Sequence, residues 1–157
     1  MALRNIITDG DERLRKKSRE VTDFGERTQT LIDDMIDTLH NTGNGIGLAA
    51  VQIGVLKRIF IVDIEDEGGL RVYVNPRITE THGEQCNTEG CLSIPDYWGE
   101  VKRPAKIKVE AQDRFGESFE LEAEGLLAVC ICHENDHLDG ILFTDKLEGE
   151  LQYAGSE

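Results

Sequence analysis

Basic residues are in short supply: 17 Lys and Arg stand against 31 Asp and Glu, leaving a net charge of −14. Non-specific nucleic-acid binding depends on cations that displace phosphate counterions, so no direct nucleic-acid binding is expected. The nearest thing to a basic spot is Lys102, Arg103 and Lys106. Long apolar runs are missing too. Nothing approaches the roughly 20 apolar residues that a membrane-spanning helix needs, so no membrane partner is expected. The N-terminus, Met1 to Asp9, is too short and too polar for a secretory leader, and the chain reads as cytoplasmic. There is no internal repeat and no low-complexity tract. A chain of 157 residues, 39% hydrophobic and 31% charged, is expected to form one domain over 1–157 with its own core. Four cysteines in a reducing compartment suggest metal ligation or free thiols before disulfides.

Helical and strand periodicities divide what is present. Asp11 to Lys17 reads as a short charged helix. Phe24 to Leu39 carries Leu31, Ile32, Met35, Ile36 and Leu39 at helical spacing, and Gly43 and Gly45 follow as C-cap glycines. Arg58 to Ile64 is a buried strand by its apolar run. Gly68-Gly69 makes a hairpin turn, and Leu70 to Val74 is the returning strand. Lys106 to Gln112 and Ser118 to Ala123 alternate in period two about the turn Asp113 to Gly116, a half-exposed antiparallel pair. Gly125 to Leu138 is a second helix whose Leu126, Leu127, Val129, Cys130 and Ile131 leave it apolar almost all round, so it should be central and buried. The expected fold is α+β, with mixed, mainly antiparallel strands around that helix.

The same helix carries His133-Glu134-Asn135-Asp136-His137. Side chains four apart share a helix face, so both rings can grip one metal ion, and Glu134 lies where it can take a proton from a bound water. Two surface-polar histidines are the plain alternative, but on so apolar a helix they would be costly to bury without partners. A metal-activated hydrolase is therefore expected. A third histidine six residues on would mark one protease class, and that position is Phe143. About twenty residues remain after His137, with no good ligand helix among them, so the third ligand must come from upstream. Cys91, between Gly90 and Pro95 in an irregular stretch, is the best candidate, and its thiolate would leave an open position for water. Cys86 reads as surface in a polar loop, Cys130 as the wall near the metal, and Cys132 as turned away from it.

Gly45-Ile46-Gly47-Leu48-Ala49-Ala50 superficially resembles a dinucleotide loop, but it follows a helix where such a loop should follow a strand. Extended backbone of small residues, along which a peptide can lie, is the better reading. Gln52 then presents an amide donor.

Gly45-Ile46-Gly47-Leu48-Ala49-Ala50-Val51-Gln52, Glu89-Gly90-Cys91-Leu92-Ser93-Ile94-Pro95 and His133-Glu134-Asn135-Asp136-His137-Leu138-Asp139-Gly140 together resemble the three signature motifs of peptide deformylases, in the family's order. The resemblance runs from about Asp11 to Leu147. It implies a central metal-binding helix and removal of the N-formyl group from the formylmethionine of new polypeptides, with release of formate. It implies Fe²⁺, with Zn²⁺, Ni²⁺ or Co²⁺ able to take its place. Cys91, His133 and His137 would be ligands and Glu134 the acid/base, while Gln52 Nε2 and the Leu92 N–H would steady the oxyanion. Gly45, Ile46, Gly47 and Gly90 would hold the substrate backbone as an added strand. Ile46, Leu126, Val129 and Cys130 would receive the methionine side chain. Asp136 is expected to pair with Arg103 and so brace the helix. The implied partners are N-formyl-methionyl peptides and nascent chains at the ribosome, met by a monomer in the cytoplasm of a bacterium or a phage-infected host.

Two positions depart from the family pattern: Cys132 stands where Gln is common, and Trp98 where many bacterial relatives have Arg, so Asp96 to Gly99 could form an aromatic lip. The chain ends about ten residues after Leu147, a compact form similar to phage-encoded members, and without a long C-terminal helix ribosome association is in doubt. The competing readings are an endopeptidase of the HExxH type and a non-catalytic metal-bearing peptide-binding module. The thiol ligand and Gln52 speak against the first, and the intact Glu134 against the second.

Overall fold

The computed structural model describes residues 3–65 and 67–153. Met1, Ala2, Asp66 and residues 154–157, which include the start of the N-terminus read for a leader and the end of the expected 1–157 domain, lie outside the described residues. Among the described residues, eight strands and two α-helices follow one another as α1 (Glu26–Asn41), β1 (Gly47–Ala49), β2 (Ile59–Val62), β3 (Arg71–His82), β4 (Gln85–Cys91), β5 (Ile94–Arg103), β6 (Lys106–Gln112), β7 (Ser118–Glu124), α2 (Gly125–Leu138) and β8 (Gln152–Tyr153). The strands form a sheet of order β1-β2-β3-β6-β7 and a smaller one of order β4-β5-β8, with all neighbouring strands antiparallel.

The larger sheet is covered on both faces, which is why β2 reads as an unbroken apolar run. Phe60 and Val62 join Tyr73, Ile107, Val109, Ala128 and Ile131 on the α2 side. Ile59 and Ile61 join Leu31, Ile32, Met35 and Leu39 on the α1 side. The expected α+β fold with a central, second helix is therefore what the chain adopts. Among the described residues no helix is long and apolar enough to cross a membrane.

Several local expectations need correction. Asp11 to Lys17 yields a single 3₁₀ turn, Glu12–Arg15, whose cap Asp11 accepts from the Arg13 N–H. Helix α1 starts and ends two residues later than its apolar spacing suggests, because the cap is Thr42, with Gly43 in the left-handed region behind it. Gly45 is no cap: its N–H donates to Thr42 Oγ1 at 2.9 Å. β3 continues to His82 through Pro76, where a register shift between Val74 and Arg77 absorbs the missing N–H. Cys86 is exposed, as expected, but in strand β4 and not in a loop. The first turn of α2 is open to solvent, so Leu126 is exposed while burial begins at Ala128.

Candidate active site

Three elements converge on one point. The β4–β5 hairpin brings Cys91 to its tight end, where the register shifts between Gly90 and Cys91. Helix α2 brings His133 and His137 on one face, with ring centroids 5.0 Å apart. The ligand atoms of Cys91, His133 and His137 all lie within 4.8 Å of one another, and Cys91 Sγ is 3.3 Å from His137 Nε2. Two imidazole nitrogens and a sulfur, in a buried pocket, suit a divalent transition metal. The three residues singled out for this role in the sequence are thus brought together.

The surrounding charges hold this set in position. His133 Nδ1 bonds Glu89 Oε1 at 2.9 Å, which turns Nε2 toward the cluster. Glu89 also takes two 2.8 Å hydrogen bonds from Arg103. Arg103 in turn reaches Asp136 at 2.6 Å, the expected brace, and Lys146 completes the chain at 3.1 Å. Burial alone would raise the Glu89 pKa, but hydrogen bonds from Arg103 and His133 outweigh it and hold it at about 2. Burial alone would likewise depress His133. Hydrogen bonds that its ring donates to Cys91 and Glu89 instead push it up to about 10. His137, fully buried and beside His133, is held well below the usual histidine range by burial first and by its neighbour second. Glu89 was not singled out in the sequence, where one acidic residue among many gives no sign of a histidine partner.

Glu134 completes the centre. It is 5% exposed, and its Oε1 has no hydrogen-bond partner among the described residues. Burial is the main reason its pKa rises to about 7, a value at which a carboxyl can both take and give a proton near neutrality. Its carboxyl lies against Gly47, where an added Cβ would stand 2.6 Å from Oε2. Gly47 is therefore required by Glu134 itself, a reason the sequence does not disclose.

Gln52 sits on a buried 3₁₀ turn directly after β1. Its Oε1 accepts from the Ala49 N–H at 2.9 Å, which directs Nε2 to Ser93 Oγ at 3.0 Å and to Cys91 Sγ at 3.6 Å. The amide donor is thus fixed beside the sulfur. Ser93, fully buried, also donates its backbone N–H to Cys91 Sγ at 3.4 Å. A cleft of about 610 Å³ opens over these groups. Its walls include Gly45, Ile46, Gly47, Gly90, Leu92, Leu126, Val129 and Cys130, together with Gln52, Cys91, His133 and Glu134. Of the anticipated site residues, only His137 lies wholly behind the wall, at 0% exposure. Gly45 serves packing, since a Cβ there would meet Leu39 at 2.8 Å and Leu92 at 3.0 Å.

Comparison with known proteins agrees with this geometry. The family described as Polypeptide deformylase matches residues 3–152. The chain is similar to the peptide deformylase of Caldicellulosiruptor bescii, 58% identical over 94% of this chain and 87% of that one. It is similar to that of Acetivibrio thermocellus at 56% identity over 94% and 85%. Among solved structures, the peptide deformylase of Legionella pneumophila superposes with a TM-score of 0.89 at 49% identity, covering 93% of this chain and 86% of that one. The Thermotoga maritima enzyme gives 0.90 at 38% identity over 94% and 99%. With the motifs, the fold and the clustered ligand set in agreement, the chain belongs to the peptide deformylase family.

Proposed function

We propose that this chain hydrolyses the N-formyl group of formylmethionyl polypeptides, with Cys91, His133 and His137 holding the metal. The observation that carries the reading is the convergence of those three ligand atoms beside a buried carboxyl oxygen of Glu134 that lacks a partner. A divalent ion bound there supplies a Lewis acid and lowers the pKa of water. Fe²⁺ is the ion expected, and Zn²⁺, Ni²⁺ or Co²⁺ would satisfy the same donors, since imidazole and thiolate accept all four.

The residues then divide the work. Ile46, Gly47 and Gly90 hold the substrate backbone in the cleft, and Ile46, Leu126, Val129 and Cys130 enclose the methionine side chain. Glu134 takes a proton from water as the water oxygen bonds to the formyl carbon. Gln52 Nε2 and the Leu92 N–H donate to the oxyanion that develops, and one such donor is worth about 3–4 kcal/mol. The C–N bond breaks, Glu134 passes its proton to the leaving amine, and formate departs. Glu89 keeps the His133 ring in register, and Arg103 keeps Glu89. We further propose that a monomer acts on nascent chains in the cytoplasm, without binding nucleic acid directly.

The test is formate release from a formyl-Met tripeptide by anaerobically purified protein loaded with Fe²⁺ or Ni²⁺. Turnover should vanish with a chelator and return with metal. Internal cleavage of unformylated peptides, without formate, would point to an endopeptidase instead. Metal binding without any turnover would leave a peptide-binding module.

A further inference from the structure

Gln52 ends in an amide whose two faces differ, an acceptor oxygen and a nitrogen with two donors. Which way it points is fixed by a neighbour. The Ala49 N–H can only donate, so the atom it meets at 2.9 Å is Oε1, and Nε2 faces the other way. There Ser93 Oγ accepts one hydrogen at 3.0 Å, which leaves the second beside Cys91 Sγ at 3.6 Å. Gln52 and Cys91 line the cleft, whereas Ser93, at 0% exposure, stands behind them. The two ends of this bond belong to different parts of the fold. Gln52 follows β1 of the larger sheet, and Ser93 stands between β4 and β5 of the smaller one. A shift of either part turns the amide.

The N-terminal segment ties the two parts together. Residues 3–8 form no helix or strand, yet they are pinned along their length. Arg4 anchors them on α1, with its N–H on Thr38 Oγ1 at 3.0 Å and its guanidinium on the buried Asp34 at 2.8 Å. Ile6 packs against the core on that side. The Ile7 N–H then donates to the Gln52 carbonyl at 2.8 Å, and the Asp9 N–H to the Ser93 carbonyl at 2.7 Å. Alternate residues of an extended chain face the same way, so one stretch can reach both carbonyls. The mechanism proposed above uses neither bond.

We propose that residues 4–9 are a strap that sets the oxyanion donor. The strap fixes the backbones of Gln52 and Ser93 relative to one another, and Ser93 Oγ then holds one Nε2 hydrogen so that the other faces the cleft. Gln52 is the residue that touches the reacting atoms, a role that rests on the deformylase reading. Ile7, Asp9 and Ser93 are positioning residues that act through it.

The test uses Ser93→Ala, which removes the acceptor, and Ile7→Pro, which removes a strap donor. Each is made alone and together with Gln52→Ala, and kcat for a formyl-Met tripeptide is expressed per bound metal. Each substitution alone should lower kcat by about fivefold or more, with KM and metal content changed less than about twofold. Beside Gln52→Ala the same substitutions should change kcat less than about twofold, because the group through which they act is gone. A second readout needs no turnover. By NMR of Zn²⁺-loaded protein, the Gln52 side-chain amide is identified by its loss in Gln52→Ala. Its protons should exchange with solvent about tenfold faster in Ser93→Ala and in Ile7→Pro than in wild type. Losses of kcat that are equal with and without Gln52 overturn the positioning role, as does an exchange rate that Ser93→Ala leaves unchanged. Ile7→Pro without effect on either readout overturns the strap. Wild-type protein that binds metal and releases no formate would instead overturn the deformylase reading, and the exchange rates would then decide the strap alone.

Discussion

Replacing Glu89 by Gln keeps the size of the side chain and removes the charge on which Arg103 and His133 both depend. The carboxylate and the guanidinium are 4% and 2% exposed, so neither can turn to water when the other changes. The Glu89 pKa stands at about 2 against an ordinary 4.5. At about 1.4 kcal/mol per pH unit, that gap corresponds to about 3 kcal/mol of folding stability. Breaking a buried pair from one side costs about 3–5 kcal/mol by independent reasoning, so the two routes agree. Because the folded pKa is depressed, this contribution is complete above about pH 4.5 and disappears as the pH falls through about 2. Glu89→Gln should therefore lower the unfolding free energy at pH 7 by about 3 kcal/mol, read from urea titrations followed by circular dichroism. The difference from wild type should close as both proteins are acidified. The loss of an orienting partner for His133 should also weaken metal retention about 10- to 100-fold in chelator competition. A variant within about 0.5 kcal/mol of wild type, with metal retention changed less than about twofold, would refute the account of this charge chain.

Other substitutions separate the remaining roles. Glu134→Ala should keep its metal and lose turnover by about 10²–10⁴, the range of a lost acid/base, and normal formate release would end that assignment. Cys91→Ser should lose metal on dialysis against a weak chelator, and undiminished occupancy in elemental analysis would strike Cys91 from the ligand set. Gly47→Ala places a Cβ 2.6 Å from Glu134 Oε2, so the carboxyl must move. Its kcat should fall by about tenfold or more at unchanged metal content, and an unchanged kcat would show that the carboxyl has room to yield.

Much of the architecture was legible because its signals are local. Helix α2 spans Gly125–Leu138 as its composition suggested, and β6 occupies Lys106–Gln112 as its alternation did. The β4–β5 hairpin was not foreseen. Hydrophobic alternation could not reveal it, since its buried positions include Glu89, Gly99 and Arg103, two of them charged and satisfied only by partners distant in sequence. Glu89 as partner of His133 was hidden for the same reason: the contact spans 44 residues. The candidate ligand set escaped this difficulty because two of its members share a helix turn and the third is one of only four cysteines. Gly47 was recognised as small, but its reason lies across the fold in Glu134.

Cys91 hangs from the smaller sheet, whereas both histidines ride on the helix packed against the larger one. An ion gripped by all three is thus a rivet between two halves of the molecule. Its binding free energy adds to the free energy of their docking, about 2.7 kcal/mol at a free-ion concentration one hundred times the dissociation constant. Hydrogen exchange along Gln85–Arg103 should consequently slow when metal is added, making the hairpin amides a gauge of occupancy that needs no substrate.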